Sequence, residues 1–575
     1  MASMLRAAVP LTNRAQAPRS IACRTRPPLA RRPARSRLAV TPARAQGGAA
    51  LQAGDDEPMS RAAAAATPAD AAAPSGSLPT SASDVLPDAL ADAPGPAAPF
   101  NWHRHWYAVA ALDALDPNLP NAVTILGQRI AVWRDAGREW CGPVIMNVPC
   151  CLLALAHVHL ATCRRALRDE CPHRLAPLSE GRVAEDGTLQ CSYHGWRFNG
   201  CGACASVPQD PQRAGAAAVR SPRSRAVAFP TRQAQGLLFV FPCSDPDAVE
   251  ASLLAPLQLI PGLDGEPGPA AAESGAPYVR DFPYGIEMML ENLSDPSHAP
   301  WSHHGVAGDR NKMPRTAVRV LAQPSAAGFD VMTDGEPGKL APHQHTYVAP
   351  SLFKFCQITS GEHVGVKGLG AVFYMYLTPV EPGVTRLVSR LIVPAGPVGA
   401  LARLTSAIIT IPMSHLGMSD LYDGDLVLIE RQERMLRAKR QTWRSAYFLA
   451  TPDDVGVAVC RRWIDDVGGG GPFSNAPLPP EPSRRVLFDR WGQHAVHCAH
   501  CRAAGQRAQA AGRGLAVASG VAAAAAVATF ATSGGVVTPA VLAAAASAPA
   551  LGAAAQAANT VDSLLRFKDY VHGRT

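Results

Sequence analysis

The chain is poor in aromatic and charged residues, and three of its stretches each lack a class of side chain. Aromatic residues make up 6% and charged residues 17% of the 575 positions. Residues 1–46 contain ten Arg but no Lys and no acidic residue, residues 47–99 contain no aromatic residue, and residues 514–561 contain no charged residue. Without the ten leader arginines, the net charge of +8 becomes about −2. A basic nucleic-acid-binding surface is therefore not expected.

The first two of these stretches predict segments outside the folded body. Residues 1–46 are rich in Arg, Ala, Ser and Pro without an apolar core, which is typical of an organelle transit peptide and not of a secretory signal. A disordered basic arm is the alternative. Residues 47–99 cannot bury enough apolar surface to fold, so they are expected to form a disordered linker. Aromatic residues begin at Phe100, and runs such as VTILGQRIAVW indicate a mainly β domain from there on.

Two short motifs each combine one cysteine with one histidine. Cys171-x-His173 and Cys191-x-x-His194 are separated by seventeen residues. Zinc accepts two Cys and two His tetrahedrally, but its motifs usually group Cys with Cys and His with His. In a Rieske [2Fe-2S] cluster one iron takes both cysteines and the other takes both histidines, so each loop must supply one of each. The pattern predicts a Rieske cluster, with zinc as the alternative.

A second metal site is indicated further along the chain. Residues 287–305, EMMLENLSDPSHAPWSHHG, contain Asp295, His298 and His303. Two histidines about one and a half helical turns apart can reach one metal ion, and two His with one carboxylate leave positions open for dioxygen on mononuclear Fe(II). His304 is the alternative to His303.

The carboxylate ligand is expected from a later segment. MSDLYDGDLVLIERQERM offers Asp420, Asp423 and Asp425. We take Asp425 as the expected ligand, with Asp423 as the second choice, because Asp425 followed by Gln432 seven positions on resembles the Asp-then-Gln pattern at the end of the oxygenase catalytic domain. An Asp that caps the helix predicted to follow is the alternative role, and it suits Asp423 better than Asp425.

The C-terminal part carries a compact pair of cysteines and a long apolar region. Cys498-x-x-Cys501 could exchange with a thioredoxin-like dithiol, or could bind zinc together with the interleaved His494, His497 and His500. Residues 514–561 are long enough for two membrane passes of about 20 residues each. A soluble Ala-rich hairpin is the alternative.

Several sequence motifs together resemble the pheophorbide a oxygenase family of plants and algae. These motifs are HWYAV, CPHRLAPLSEGRV, CSYHGWRF, ENLSDPSHAPWSHHG, HCAHC and FKDYVHG. Positions where respiratory Rieske proteins carry a disulfide hold Ala176 and Tyr193, which also fits the oxygenase branch. The resemblance implies an α+β fold, in which an N-terminal all-β Rieske domain precedes an α+β catalytic domain and a C-terminal helical membrane hairpin.

The resemblance also implies a division of the chain and a cellular location. A chloroplast is expected, at either the inner envelope or the thylakoid membrane. The predicted segments are a plastid transit peptide (1–46), a linker (47–99), the Rieske domain (100–248), the catalytic iron domain (249–490), a CxxC segment (491–513), two membrane spans (514–561) and a tail (562–575).

By the same resemblance, Asp295 lies between the two metal centres and carries electrons from the cluster to the iron of a neighbouring subunit. This role implies an oligomer, expected to be a trimer, and Glu291 is expected nearby as a further acid. Ferredoxin is the expected electron donor. The predicted reaction is oxidation of a chlorophyll-related tetrapyrrole by O2, with pheophorbide a, protochlorophyllide and chlorophyllide as candidates.

The sequence is also compatible with other functions. The chain could be a redox-sensing Rieske component of the inner-envelope import machinery, with Cys498 and Cys501 as a thioredoxin target. It could also be a phyllobilin hydroxylase or a pure electron carrier.

One segment departs from the family pattern. Residues 141–164 hold four of the fourteen cysteines, and joining GREW directly to RALRDECPHR restores the usual spacing. This segment is either an inserted apolar helix or an error in the gene structure.

Overall fold

The computed structural model describes residues 100–135, 165–209, 211–268, 271–273, 275–312, 316–336, 342–358, 369–394 and 410–574. The predicted transit peptide (1–46), linker (47–99) and insertion (141–164) lie outside these residues.

The N-terminal part of the described chain is built from three small antiparallel sheets. The first has the strand order β1–β10–β9, the second β2–β3–β4, and the third β5–β6–β7–β8. Their bounds are β1 Tyr107–Ala111, β2 Asn121–Ile125, β3 Gln128–Val132, β4 Ala166–Arg168, β5 Arg182–Val183, β6 Leu189–Gln190, β7 Arg197–Phe198, β8 Cys204–Ser206, β9 Thr231–Ala234 and β10 Leu237–Val240.

Short apolar strands joined by tight turns explain this arrangement. Leu126 and Gly127 both adopt positive φ in the two-residue turn between β2 and β3, the conformation that suits a tight hairpin. Their backbone N–H groups donate to the carbonyl oxygens of Pro379 and Val380. The turn therefore attaches the β2–β3–β4 sheet to the segment that contains Pro379 and Val380.

An eight-stranded antiparallel sheet follows, with the order β11–β18–β17–β16–β15–β14–β13 and with β12 also pairing with β18. The strands are β11 Ala271–Glu273, β12 Tyr278–Phe282, β13 Ala317–Ser325, β14 Gly328–Asp334, β15 His343–Val348, β16 Leu352–Ile358, β17 Leu369–Glu381 and β18 Val384–Pro394. Buried and partly exposed residues alternate along β14 and β15, as expected when one face of a sheet covers a core.

Helices occur in both regions of the described chain, and the last two continue beyond the sheets. In the described part of the chain they are α1 Ala214–Arg220, α2 Pro246–Leu254, α3 Ile286–Leu293, α4 Ala299–Ser302, α5 Ile411–Lys439, α6 Trp443–Ala446, α7 Val455–Arg462, α8 Arg484–Leu487, α9 Arg490–Gln493, α10 Ala499–Thr532 and α11 Pro539–Arg566.

Helix α5 has an unusual buried face. Its buried residues follow a helical spacing at both ends, as expected for one side of a helix, but residues 422–426 are buried without a break, and many of the buried residues are titratable. They are His415, Asp423, Asp425, Glu430 and Glu433, beside Ser419, Tyr422, Gly424, Leu426 and Ile429. Buried charged groups must be paired with opposite charges or bind metal ions. The partners of these side chains are described below.

The last two helices form an antiparallel pair. Ser519 donates a hydrogen bond to the carbonyl oxygen of Ala548 at 2.7 Å, and Gly534 and Gly535 adopt positive φ in the turn between the helices. Both helices are long and apolar enough to cross a membrane by length and composition. The described chain thus runs from an all-β region through a large sheet with helices to two apolar helices. This is the fold class that the sequence predicted.

Candidate metal centres

The two Cys-His loops have the same backbone design. The N–H of Cys171 donates to the carbonyl oxygen of Ala176, five residues on, and the N–H of Cys191 donates likewise to Trp196. The fourth residue after the cysteine is Leu175 in the first loop and Gly195 in the second. Each of them has positive φ, and its backbone N–H donates to the carbonyl oxygen of the cysteine. Each loop therefore fixes its cysteine by its own hydrogen bonds.

The four side chains of these loops separate by type. Cys171 and Cys191 are buried, with 2% exposure each, whereas His173 is exposed and His194 is half-buried. The two imidazole rings lie 4.6 Å apart, and Trp196 stacks on His173 at 4.6 Å. Two inner thiols behind two outer imidazoles fit a [2Fe-2S] cluster that is ligated by Cys at one iron and by His at the other.

Burial disfavours the thiolate form of Cys171 before a cluster is bound. Burial and the neighbouring Cys191 raise the pKa of the Cys171 thiol to about 11. Since metals bind the thiolate, cluster insertion must displace the thiol proton.

The second site brings together side chains from two distant segments. The side chains of His298, His303 and Asp425 can each direct one ligand atom to a common point, with all three atoms within 4.8 Å of one another. Nε2 of His303 lies 3.4 Å from Oδ2 of Asp425, and the two imidazole rings are 5.2 Å apart. Two imidazoles and one carboxylate are the donor set of a mononuclear Fe(II) site with open positions.

Close packing of α5 on the turn at residues 302–303 makes this meeting possible. A Cβ atom at Gly424 would lie 2.4 Å from the carbonyl oxygen of Ser302 and 3.1 Å from Nδ1 of His303. Only glycine allows this approach, because any side chain would force the two segments apart.

The histidines are held in a state that can bind a metal. Nδ1 of His298 lies 2.6 Å from the carbonyl oxygen of Asp295, so a proton on Nδ1 leaves the Nε2 lone pair available. Burial lowers the pKa of His303, although the Asp425 carboxylate opposes this shift. Neutral imidazole is the form that binds metal.

Asp295 contacts the turn that precedes the first histidine of this site. Its Oδ1 accepts hydrogen bonds from the backbone N–H of Ser297 at 2.8 Å and from the Ser297 hydroxyl at 2.7 Å. Its Oδ2 lies 3.8 Å from Nδ1 of His298. The carboxylate therefore fixes the turn that presents His298.

The alternative ligands are engaged elsewhere. Nδ1 of His304 accepts from the backbone N–H of Arg310 at 3.2 Å and lies 3.7 Å from Asp309. Asp423 is buried between two guanidinium groups, at 2.8 Å from Arg280 and 2.6 Å from Arg490. The structure therefore places His303 and Asp425 in the group, and not His304 or Asp423.

Two nearby acids also have separate partners. Asp420 pairs with Arg490 at 2.5 Å and with Lys568 at 2.7 Å. Glu291 accepts a hydrogen bond from Gln432 at 2.7 Å and forms a buried ion pair with Arg461. Both carboxylates stabilise the frame around the site.

The segment after α11 contributes contacts that the sequence reasoning missed. The Tyr570 hydroxyl donates to the carbonyl oxygen of Ser302 at 2.9 Å, and Nε2 of His572 lies 2.7 Å from the carbonyl oxygen of Gly424. Ser302 and Gly424 are the residues immediately before His303 and Asp425. The tail therefore holds both ligand-bearing segments by their backbones.

The predicted CxxC residues lie at the start of α10, as a second group apart from the iron site. Cys498 and Cys501 are free thiols with 4% and 0% exposure. They meet two histidines, of which His494 was a candidate from the sequence. His415 was not, because it lies more than 80 residues away.

Comparisons with known proteins agree with this organisation. The protein-family model described as Rieske [2Fe-2S] domain matches residues 105–223 of this sequence. Pheophorbide a oxygenase of Oryza sativa subsp. japonica is 32% identical over 423 residues, which cover 70% of this chain and 73% of that protein. Flavonoid 8-hydroxylase 2 of Ocimum basilicum is 30% identical, covering 77% and 80%. Protochlorophyllide-dependent translocon component 52 of Arabidopsis thaliana is 28% identical, covering 70% and 74%.

These relatives are chloroplastic proteins, and their similarity extends well beyond the matched Rieske domain. The chain combines a Rieske domain with a group of two histidines and one carboxylate. These two metal-binding sites together are typical of an oxidoreductase that needs O2, an electron donor and an organic substrate. The chain belongs to the pheophorbide a oxygenase family of Rieske-type non-haem iron oxygenases.

Proposed function

We propose that this chain is a monooxygenase that uses O2 and electrons from ferredoxin to oxidise a chlorophyll-related tetrapyrrole, with pheophorbide a as the first candidate. The observation that carries the proposal is the convergence of His298, His303 and Asp425 in a chain that also contains the Rieske loops. An electron carrier has no use for a second metal site with open positions.

The proposed ligands divide between the two centres. The cluster would be held by Cys171, His173, Cys191 and His194, and the iron by His298, His303 and Asp425. When bound, the cluster supplies single electrons and the Fe(II) supplies a centre for dioxygen activation. The protein fixes the ligand geometry through the Asp295 carbonyl contact to His298 and the tight packing at Gly424.

The electron path is proposed to run between subunits through Asp295. The side chain of Asp295 is 27% exposed, and the imidazole of His173 is exposed at the surface of its loop. Leu175 and Tyr193 beside the cluster and Trp301 beside the iron site are large apolar side chains that remain more than half exposed. Exposed apolar groups at both ends of the path favour an interface there, as in a trimer.

A membrane location supports an apolar substrate. The most apolar window of α10 has none of its residues buried, so α10 and α11 are proposed to insert into a plastid membrane, either the inner envelope or the thylakoid. A tetrapyrrole pigment dissolves in such a membrane. A phenolic flavonoid is the second candidate, because the flavonoid 8-hydroxylase of Ocimum basilicum is covered over 80% of its length.

A role in protein import is a separate proposal. It is supported by the name of the translocon component that is 28% identical and would use Cys498 and Cys501 as a thioredoxin target. Both thiols are buried, which hinders attack by another protein's thiolate. The structure therefore gives this role less support than catalysis.

The test is oxygen incorporation by the full chain in mild detergent, with ferredoxin and its reductase. Pheophorbide a, protochlorophyllide, chlorophyllide a, a ring-opened bilin and a flavone are each incubated under ¹⁸O₂, and products are examined by mass spectrometry. We expect the label in a tetrapyrrole. Label in the flavone alone would show that the substrate is a flavonoid and not a tetrapyrrole. Label in none of the compounds, with both metal centres loaded, would contradict the enzyme proposal.

A matched pair of variants controls this experiment. His298→Ala is expected to abolish labelling while the Rieske signal in electron paramagnetic resonance persists. His304→Ala removes a neighbouring histidine that contacts Arg310 and Asp309 instead of the iron group, so it should retain labelling. Equal activity of both variants would show that the iron site is misassigned.

A further inference from the structure

A second group of metal-binding side chains lies at the base of the apolar helices. It consists of His415, His494, Cys498 and Cys501, whose ligand atoms all lie within 4.8 Å of one another. The four residues are between 0% and 4% exposed. They come from helix α5, the turn after α9 and the first turn of α10, so three elements meet at this group.

We propose that these four residues bind a structural zinc ion. Two thiolates and two imidazoles are a complete tetrahedral set for Zn²⁺ and leave no position for a substrate. This inference is independent of the proposed substrate and concerns a different site.

The spacing of the ligand atoms matches such an ion. Nε2 of His494 lies 3.2 Å from Sγ of Cys501. Nδ1 of His415 lies 3.5 Å from the Sγ atoms of both Cys498 and Cys501. Zinc bonds of about 2.3 Å to sulfur and about 2.0 Å to nitrogen, at the tetrahedral angle, give an N···S separation of about 3.5 Å.

Both histidines also have the outer partners of metal ligands. Nδ1 of His494 lies 2.6 Å from the carbonyl oxygen of Val279, and Nε2 of His415 lies 3.2 Å from the carbonyl oxygen of Ala276. A proton on each outer nitrogen turns the opposite, unprotonated nitrogen towards the cysteines. Metal-bound histidines usually show this arrangement.

Nearby histidines provide an internal contrast. Nε2 of His497 lies 3.2 Å from Asp281 and Nε2 of His500 lies 3.4 Å from Asp113. Both rings therefore face away from the thiols, although both lie within one residue of a cysteine. The orientation of the imidazole ring, and not its distance from a cysteine along the sequence, therefore decides which histidines belong to the group.

A zinc ion here would connect the membrane helices to the iron site. His415 precedes Asp425 by ten residues on α5, and Cys498 and Cys501 begin α10. The ion would fix the root of the hairpin against the helix that carries the iron carboxylate. Its role would be to position these elements, and it would carry no electrons.

The test is the metal content of the full chain, purified under reducing conditions without added zinc and measured by inductively coupled plasma mass spectrometry. We expect about one zinc per chain in addition to the iron. The zinc X-ray absorption fine structure of the unmodified protein should show two sulfur and two nitrogen neighbours, a result that requires no variant to fold.

Variants sharpen the assignment. In competition with a chelator, the affinity for zinc should fall by about tenfold or more in His415→Gln and in Cys498→Ser. The Rieske signal serves as the check on folding. His500→Gln and Cys243→Ser are the matched controls and should retain zinc fully. A chain that contains no zinc, a Cys498–Cys501 disulfide in the unmodified protein, or full zinc retention by His415→Gln would each overturn the proposal.

Discussion

The Rieske loops and the iron site solve the same problem, metal ligation, in opposite ways. Each Rieske loop positions its cysteine by hydrogen bonds that span only five residues. The iron group combines a turn at residues 298–303 with Asp425 on α5, and its backbone is held by Tyr570 and His572 from beyond the hairpin. A local motif can therefore be recognised in the sequence, whereas an assembled site depends on how distant elements pack.

The largest expected effect separates the two centres completely. Asp425→Asn removes the anionic ligand of the iron group but touches neither Rieske loop. Turnover should fall by more than the ~10–100-fold that is typical for loss of an outer partner of a metal ligand, and iron content should fall from three atoms per chain to two. Iron analysis and the Rieske signal measure both, and loss of that signal would contradict the independence of the centres.

Asp423, two residues away, should behave differently. Asp423→Asn leaves the guanidinium groups of Arg280 and Arg490 buried without their full counter-charge. Breaking a buried ion pair in this way typically costs about 3–5 kcal/mol, so thermal unfolding in detergent should occur at a lower temperature. If Asp423→Asn instead loses iron and Asp425→Asn is the less stable variant, the two roles have been exchanged.

The tail contacts should have a smaller effect that is confined to the assembled site. Tyr570→Phe removes the hydrogen bond to the carbonyl of Ser302, and we expect about tenfold weaker iron retention against a chelator. Asp569→Asn is the control, because Asp569 pairs with Arg484 at the half-exposed surface, where ion pairs contribute little. Equal iron retention by Tyr570→Phe and the unmodified chain would show that the tail does not support the site.

The smallest effect is expected in a Rieske loop. Gly195 has a φ of +76°, and a Cβ atom there would lie 3.1 Å from Pro208. Gly195→Ala should therefore destabilise the loop by about 1 kcal/mol, seen as earlier loss of the Rieske signal on warming. Leu175→Gly at the equivalent position of the other loop should cause no such loss, and the iron group should be unaffected by either change.

The sequence predicted most where ligands are close together in the chain. The four cluster residues, the pair His298 and His303, and the order of domains followed from motifs and a family resemblance. The fold class was confirmed, whereas the ligand assignments and domain boundaries remain predictions that the geometry supports.

The sequence predicted less where burial decides the role of a residue. Asp423 and Asp425 have similar surroundings in the sequence, and only the position of Arg490 on α9 shows which carboxylate is neutralised by guanidinium groups. His415 gave no signal as a partner of Cys498, because the contact exists only after α5 has packed against α10. Tyr570 and His572 were part of a recognised motif, but their contacts with the iron segments were not predictable.

The support of the iron site by Tyr570 and His572 also makes this site depend on a segment that lies beyond the apolar hairpin. Because α10 and α11 precede these two residues, the chain must return from the hairpin to the segments that carry His303 and Asp425. The cysteines of the Rieske loops, in contrast, are held by hydrogen bonds within their own loops. A chain cut between the hairpin and Tyr570 would therefore lose the backbone support of the iron site but keep the local hydrogen bonds that position Cys171 and Cys191.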